Sequence, residues 1–185
     1  MEHKVTIAGA AALFCLLASS VWAQSGIEFE KMPVGCRWLR ELSNGGHWIE
    51  EYVGKKGASY IIRATNADRP GELVSTTEFN VDGHRTKLTW ANGSWSKFQP
   101  FSCFALVGKC TYLFTNSDGA KQTIDSVVKL RGDILTTTSK ARNGDAPFPE
   151  EKTKLGPFQI WISNNSSNYS TKVTKFENCG LIGQS

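Results

Sequence analysis

Helical periodicity is missing from this chain: no segment of twelve residues carries a 3.6-residue apolar stripe. Long apolar runs are scarce too. Beyond the first 23 residues nothing approaches the roughly 20 apolar residues that a membrane-crossing helix needs, so the mature chain is expected to have no membrane span. Concentrated charge is also lacking. The formal net charge of +4 is dispersed, Lys55 and Lys56 form the one adjacent basic pair, and no Lys/Arg stripe interleaves with aromatics as a nucleic-acid surface requires. The motifs of common catalytic centres are absent as well: there is no GxSxG, no HExxH and no Gly-rich phosphate loop.

The N-terminus is the first positive signal. Lys4 precedes an apolar stretch from about Val5 to Leu17, followed by Ala18, Ser19 and Ser20. This is the three-part pattern of a secretory leader, and Val21, Trp22 and Ala23 place its cleavage between Ala23 and Gln24. The expected organisation is a signal peptide over residues 1–23 and a single β domain over 24–185 with short flexible ends. An uncleaved anchor would need a longer apolar run, and lipid attachment at Cys15 would need a small residue where Phe14 stands. A periplasmic or secreted location follows.

Four cysteines remain in the mature chain: Cys36, Cys103, Cys110 and Cys179. In an exported chain an even count predicts two disulfides. Phe101–Phe114 reads as two arms about a turn at Ala105–Gly108, which sets Cys103 across from Cys110 and leaves Cys36 and Cys179 to tie the domain's ends. With no CxxC pair, and with His47 and His84 at no ligand spacing from any cysteine, no metal centre or other cofactor is expected.

Apolar residues instead recur with period two, broken by turn residues every eight to twelve positions. Roughly ten strands are expected, each pairing with its neighbour in sequence, with Asp82-Gly83 as the clearest hairpin turn. Residues 140–157 read as a loop holding at most a helical turn near Pro149–Lys154. Leu73, Phe79 and Val81, then Leu88 and Trp90, then Ile124, Val128 and Leu130 are assigned to buried faces. Tyr60–Ile62 and Phe104–Val107 are apolar on both faces. A long antiparallel meander has unsatisfied edges unless it closes, so the all-β fold is expected to be a barrel or a barrel-like rolled sheet, with a two-sheet sandwich as the alternative.

Acid-base groups are present but poorly placed. Glu50 and Glu51 are consecutive on a strand and point to opposite faces, so they cannot act as a pair. Asn116–Gly119 with Asp125 lacks the acidic spacing of a calcium loop and reads as a hairpin turn. Asn92, Asn164, Asn165 and Asn168 stand in Asn-x-Ser contexts, acceptors of glycosylation only in a eukaryotic pathway. The aromatics are the more suggestive feature, because inward rings of a small barrel either fill it or line a cavity. Trp48, Tyr60 and Trp90 are the expected cavity residues. The reading is an exported, non-enzymatic binding module for a small apolar ligand or a protein partner. Two alternatives stay open: a small hydrolase or isomerase using His47 with Glu50 or Glu51, and a structural or accessory envelope protein.

Overall fold

A computed structural model describes residues 26–103, 106–144 and 146–180. The expected leader and its cleavage site lie outside the described residues, as do Phe104 and Ala105 of the doubly apolar stretch. Twelve strands follow the chain: β1 (Arg37–Leu42), β2 (His47–Lys56), β3 (Ser59–Asn66), β4 (Leu73–Phe79), β5 (Arg85–Trp90), β6 (Trp95–Gln99), β7 (Gly108–Asn116), β8 (Lys121–Arg131), β9 (Ile134–Ala141), β10 (Glu151–Leu155), β11 (Trp161–Asn165) and β12 (Ser170–Glu177). Each pairs antiparallel with its neighbour in sequence, and β12 returns to β1. The meander therefore closes into one barrel and leaves no free edge, as a single sheet rather than a sandwich.

The strand count exceeds the expected ten for a physical reason. β10 lies inside the segment read as a loop, pairing Thr153 with Leu135 on one side and with Asn164 on the other. Its inward residues include Glu151 and Thr153, so no apolar alternation marks it. The expected cysteine hairpin fails in the opposite sense. β6 stops at Gln99, before Pro100, and Cys103 sits in the connection to β7 rather than on a strand, while the ladder neighbour of Cys110 on β8 is Ser126. Both expected disulfides nevertheless exist, Cys36–Cys179 and Cys103–Cys110, with Cα separations of 4.4 and 5.7 Å.

Several hairpins share one turn design. At Leu42–Gly46, Asn80–His84, Trp90–Ser94 and Asn116–Ala120 the first residue's N–H donates to the last carbonyl and the fourth residue, a glycine, donates to the first carbonyl. The three-residue loop needs a left-handed residue at that fourth place, met for example by Gly93 at φ 84°. Asn80 adds its side chain, accepting from the Asp82 and His84 amides at 3.1 and 2.8 Å. Val81 thus lies at a loop tip and is exposed, not on a buried face. Leu73, Trp90 and Leu130 are exposed too, whereas Phe79, Ile124 and Val128 are buried as expected.

The two ends of the barrel differ. The end formed by the start of β1 and the end of β12 is closed by residues 27–32, which run through a 3-10 turn at Phe29–Lys31. Ile27 donates to the Gly83 carbonyl at 3.2 Å and Glu28 to that of Phe158 at 2.9 Å, which docks the segment against the sheet. The approach is close enough that a Cβ on Gly83 would meet the Ile27 oxygen at 2.2 Å. Phe29 stacks on Tyr60 with centroids 4.7 Å apart and tilts against Tyr52 and Phe79, both at 5.1 Å. Trp38, Ile62, Ile160 and Val173 complete this floor. At the same end the Cys36–Cys179 bridge and the Arg37–Glu177 ion pair at 2.9 Å clasp the seam between β1 and β12.

Candidate functional site

Above the floor the lumen stays open. A cavity of about 480 Å³ begins at the level of Arg85 and Trp161 and opens at the opposite end, between Asn44, Trp48, Trp90 and Asn168. A second hollow of about 200 Å³ adjoins it, reaching under Phe148 and Pro149 to Tyr112 and Glu151. The two share Arg85, Trp161, Asn164 and Tyr169, so they form one branched chamber. Its combined size falls within the roughly 300–1,000 Å³ of ordinary small-molecule sites.

Period two carries Trp48 on β2 and Trp90 on β5 into the lumen, where their rings meet edge to face at 6.4 Å. Tyr60, the third expected cavity residue, lies elsewhere. It points inward but sits in the floor against Phe29, with its hydroxyl donating to Glu30. Alternation assigns a face and not a depth along the barrel.

Charge enters the chamber at four lining side chains, Arg40, Glu50, Arg85 and Glu151. Arg40 and Glu50 satisfy each other: the guanidinium meets the carboxylate at 2.8 and 2.9 Å, Trp38 donates its indole N–H to the same oxygen, and Thr171 accepts from Arg40 at 3.3 Å. Arg85 is different. A register shift opposite Glu78 and Phe79 skips Thr86, so Phe79 pairs with Arg85 and the arginine turns into the lumen. Its guanidinium carbon stands 4.7 Å from the Phe98 ring centre and 5.8 Å from that of Trp161. Ring faces supply no hydrogen-bond acceptor, and among the described residues no acceptor reaches its buried Nε.

Glu151 enters from β10. Burial pushes its carboxyl up from the ordinary range, while the charge of Arg85 and hydrogen bonds to Asn164 and Tyr169 pull the other way. The phenols of Tyr112 and Tyr169 are also raised, first by burial. Asn164 donates to the Tyr169 hydroxyl at 3.3 Å, yet its own Oδ1 is buried with no donor among the described residues. The chamber thus pairs an aromatic wall with polar groups that the protein leaves partly unmatched.

The histidines stand apart from it. His47 faces the outside of β2 with Asp68 at 3.4 Å, whereas Glu50 is engaged inside by Arg40 and Glu51 outside by Arg63 at 3.3 Å. The fold therefore does not bring His47 together with either glutamate. His84 is buried under Phe101 at a centroid distance of 4.6 Å, and burial lowers its pKa. An outer hollow of about 520 Å³ over β7–β9 is lined by Lys109, Thr111, Asp125 and Lys140. There Arg142 and Thr111 already hold Asp125, with contacts of 2.7 Å, and keep its carboxyl down at about 2.

Comparison with protein families, curated proteins and solved structures finds no match to this chain.

Proposed function

We propose that this protein is a periplasmic or secreted binding module that houses a small ligand with an apolar body in its lumen, entering between Trp48 and Trp90. The observation that carries the reading is the asymmetry of the barrel: one end packed shut by residues 27–32, the other open into a chamber of about 480 Å³. A barrel serving only as a scaffold gains nothing from leaving such a chamber unfilled, since dense packing is what stabilises a core. The outer face supports a location in water. It carries Glu51–Arg63 and Glu78–Lys87 pairs where a lipid-spanning barrel would present an apolar band. The leader pattern and two disulfides support export.

Titration with the neutral fluorophore N-phenyl-1-naphthylamine tests the reading. Saturable binding is expected, and Trp48→Ala or Trp90→Ala should weaken it more than they lower the denaturation midpoint. A wild-type protein that binds no probe, with both variants unfolding easily, overturns it. Native mass spectrometry of the protein from its own compartment should show a co-purifying small molecule.

A further inference from the structure

We infer that the chamber is built for an organic acid, whose single carboxylate sits against the guanidinium of Arg85 while its apolar body extends toward Trp48 and Trp90. The inference deepens the proposed lumen function and rests on it. Its starting point is the charge balance inside the barrel. Of the two arginines lining the chamber, Arg40 has its counter-ion in Glu50 at 2.8 Å. Arg85 has none within ion-pair distance among the described residues, and what surrounds it is the rings of Phe98 and Trp161.

A guanidinium does not shed its charge, so removal from water leaves it needing acceptors. Aromatic faces offset part of that need through their quadrupoles, but they act on the cation's face and leave its N–H groups unspent. Those N–H groups form a planar fork matched to a carboxylate. A local rule is broken here to produce the arrangement: without the skipped residue at Thr86, Arg85 would share the outward face of Lys87 and Thr89. A register shift that turns a charge inward beside a cavity, with no ion-pair partner among the described residues, points to a partner that arrives from outside.

The remaining groups narrow the ligand. With Arg40 already matched by Glu50, a single negative charge balances Arg85, which selects a monoanion over a phosphate dianion. Leu88, Trp48 and Trp90 form the apolar part of the cavity wall above Arg85, beside Ser75, Thr77 and Thr171, and call for an apolar or ring-shaped body with room for a polar edge. The ligand class is thus a monocarboxylic acid with one or two rings or a comparable aliphatic stem.

Calorimetric titration of 2-naphthoate against its neutral isostere 2-naphthamide separates the possibilities. With wild-type protein near neutral pH, naphthoate should bind roughly tenfold tighter or more, the scale of a charge-assisted hydrogen bond. Arg85→Met should bring naphthoate down to the naphthamide level, leave naphthamide unchanged and not lower the melting temperature. Arg85→Lys should keep part of the preference. Equal wild-type affinity for the two compounds overturns the inference, as does a loss of both together in Arg85→Met with a lowered melting temperature. If Arg85→Met fails to fold, its arginine is structural and the inference falls. Binding of N-phenyl-1-naphthylamine with no preference for the acid leaves the lumen reading standing and the acid excluded. No binding of any of the three compounds removes both.

Discussion

The floor and the mouth of this barrel are built from the same strands, with the same inward alternation and a similar supply of aromatics, yet only one of them is packed. On the floor, Tyr52, Tyr60 and Phe79 close around Phe29, which comes from outside the sheet. At the mouth Trp48 and Trp90 touch each other, and among the described residues no such segment covers them. The covalent staples follow the same division, since both disulfides lie at the closed end, where β1 and β7 begin and β12 has just ended. Packing and covalent links are thereby concentrated at one end, and under the proposed function the other is the end through which a ligand passes. Binding surfaces are commonly drawn from the less stable part of a fold.

The sharpest way to break the contrast is to unclasp the floor. Cys36–Cys179 spans 143 residues and Cys103–Cys110 spans 7. In the chain-entropy model the long bridge contributes about 4–5 kcal/mol and the short one roughly 2–3. Replacing both cysteines of the long bridge by serine should therefore lower the denaturant midpoint more than the same change in the short bridge. The reverse order would show that the seam is held by its ladder and the Arg37–Glu177 pair rather than by the bridge.

Next in size is the plug itself. Phe29→Ala should cost about 3–5 kcal/mol, the range for emptying a buried aromatic position. Trp90→Ala, at a half-exposed ring in one edge-to-face contact, should cost about 0.5–1.5 kcal/mol. Chemical denaturation of the two variants measures both. Equal costs would mean that the mouth is packed after all, and the reading of the chamber as a binding site would lose its main support.

What was legible in the sequence divides along physical lines. The closed all-β meander and the inward places of Trp48 and Trp90 follow from regular alternation between recognisable turns. Both disulfide pairings were legible as well, although Cys103 reaches Cys110 from a loop and not across a hairpin. Alternation assigns Tyr60 its inward face but not its height in the barrel, because the segment that covers it is not part of the sheet. Arg85 was hidden by one skipped residue, which reverses the face that period two assigns. Glu151 was hidden because a strand facing a polar lumen shows no apolar period, and the prolines at 147 and 149 made its surroundings read as loop. Arg85 and Glu151, the two charged groups of the chamber that do not satisfy each other as Arg40 and Glu50 do, are thus the ones whose local pattern breaks the rule used to read the rest.

The smallest expected effect sharpens the comparison from inside the chamber. Burial is the main influence on Glu151 and raises its folded-state pKa above the unfolded value, with Arg85 only partly opposing it. A carboxyl raised on folding holds its proton longer in the folded chain than in the unfolded one. Its contribution is therefore fully present below the unfolded pKa, near 4.3, and is lost as pH rises through the folded value. Glu151→Gln removes the titration, so wild type and variant should show the same pH trend in acid and diverge above it, with wild type losing stability relative to the variant. Melting temperature followed across that range measures the divergence. A variant that instead falls below wild type at neutral pH would mean that Glu151 is ionised and held by Arg85. The guanidinium would then have its counter-ion within the protein, and the chamber would not need an acid to complete it.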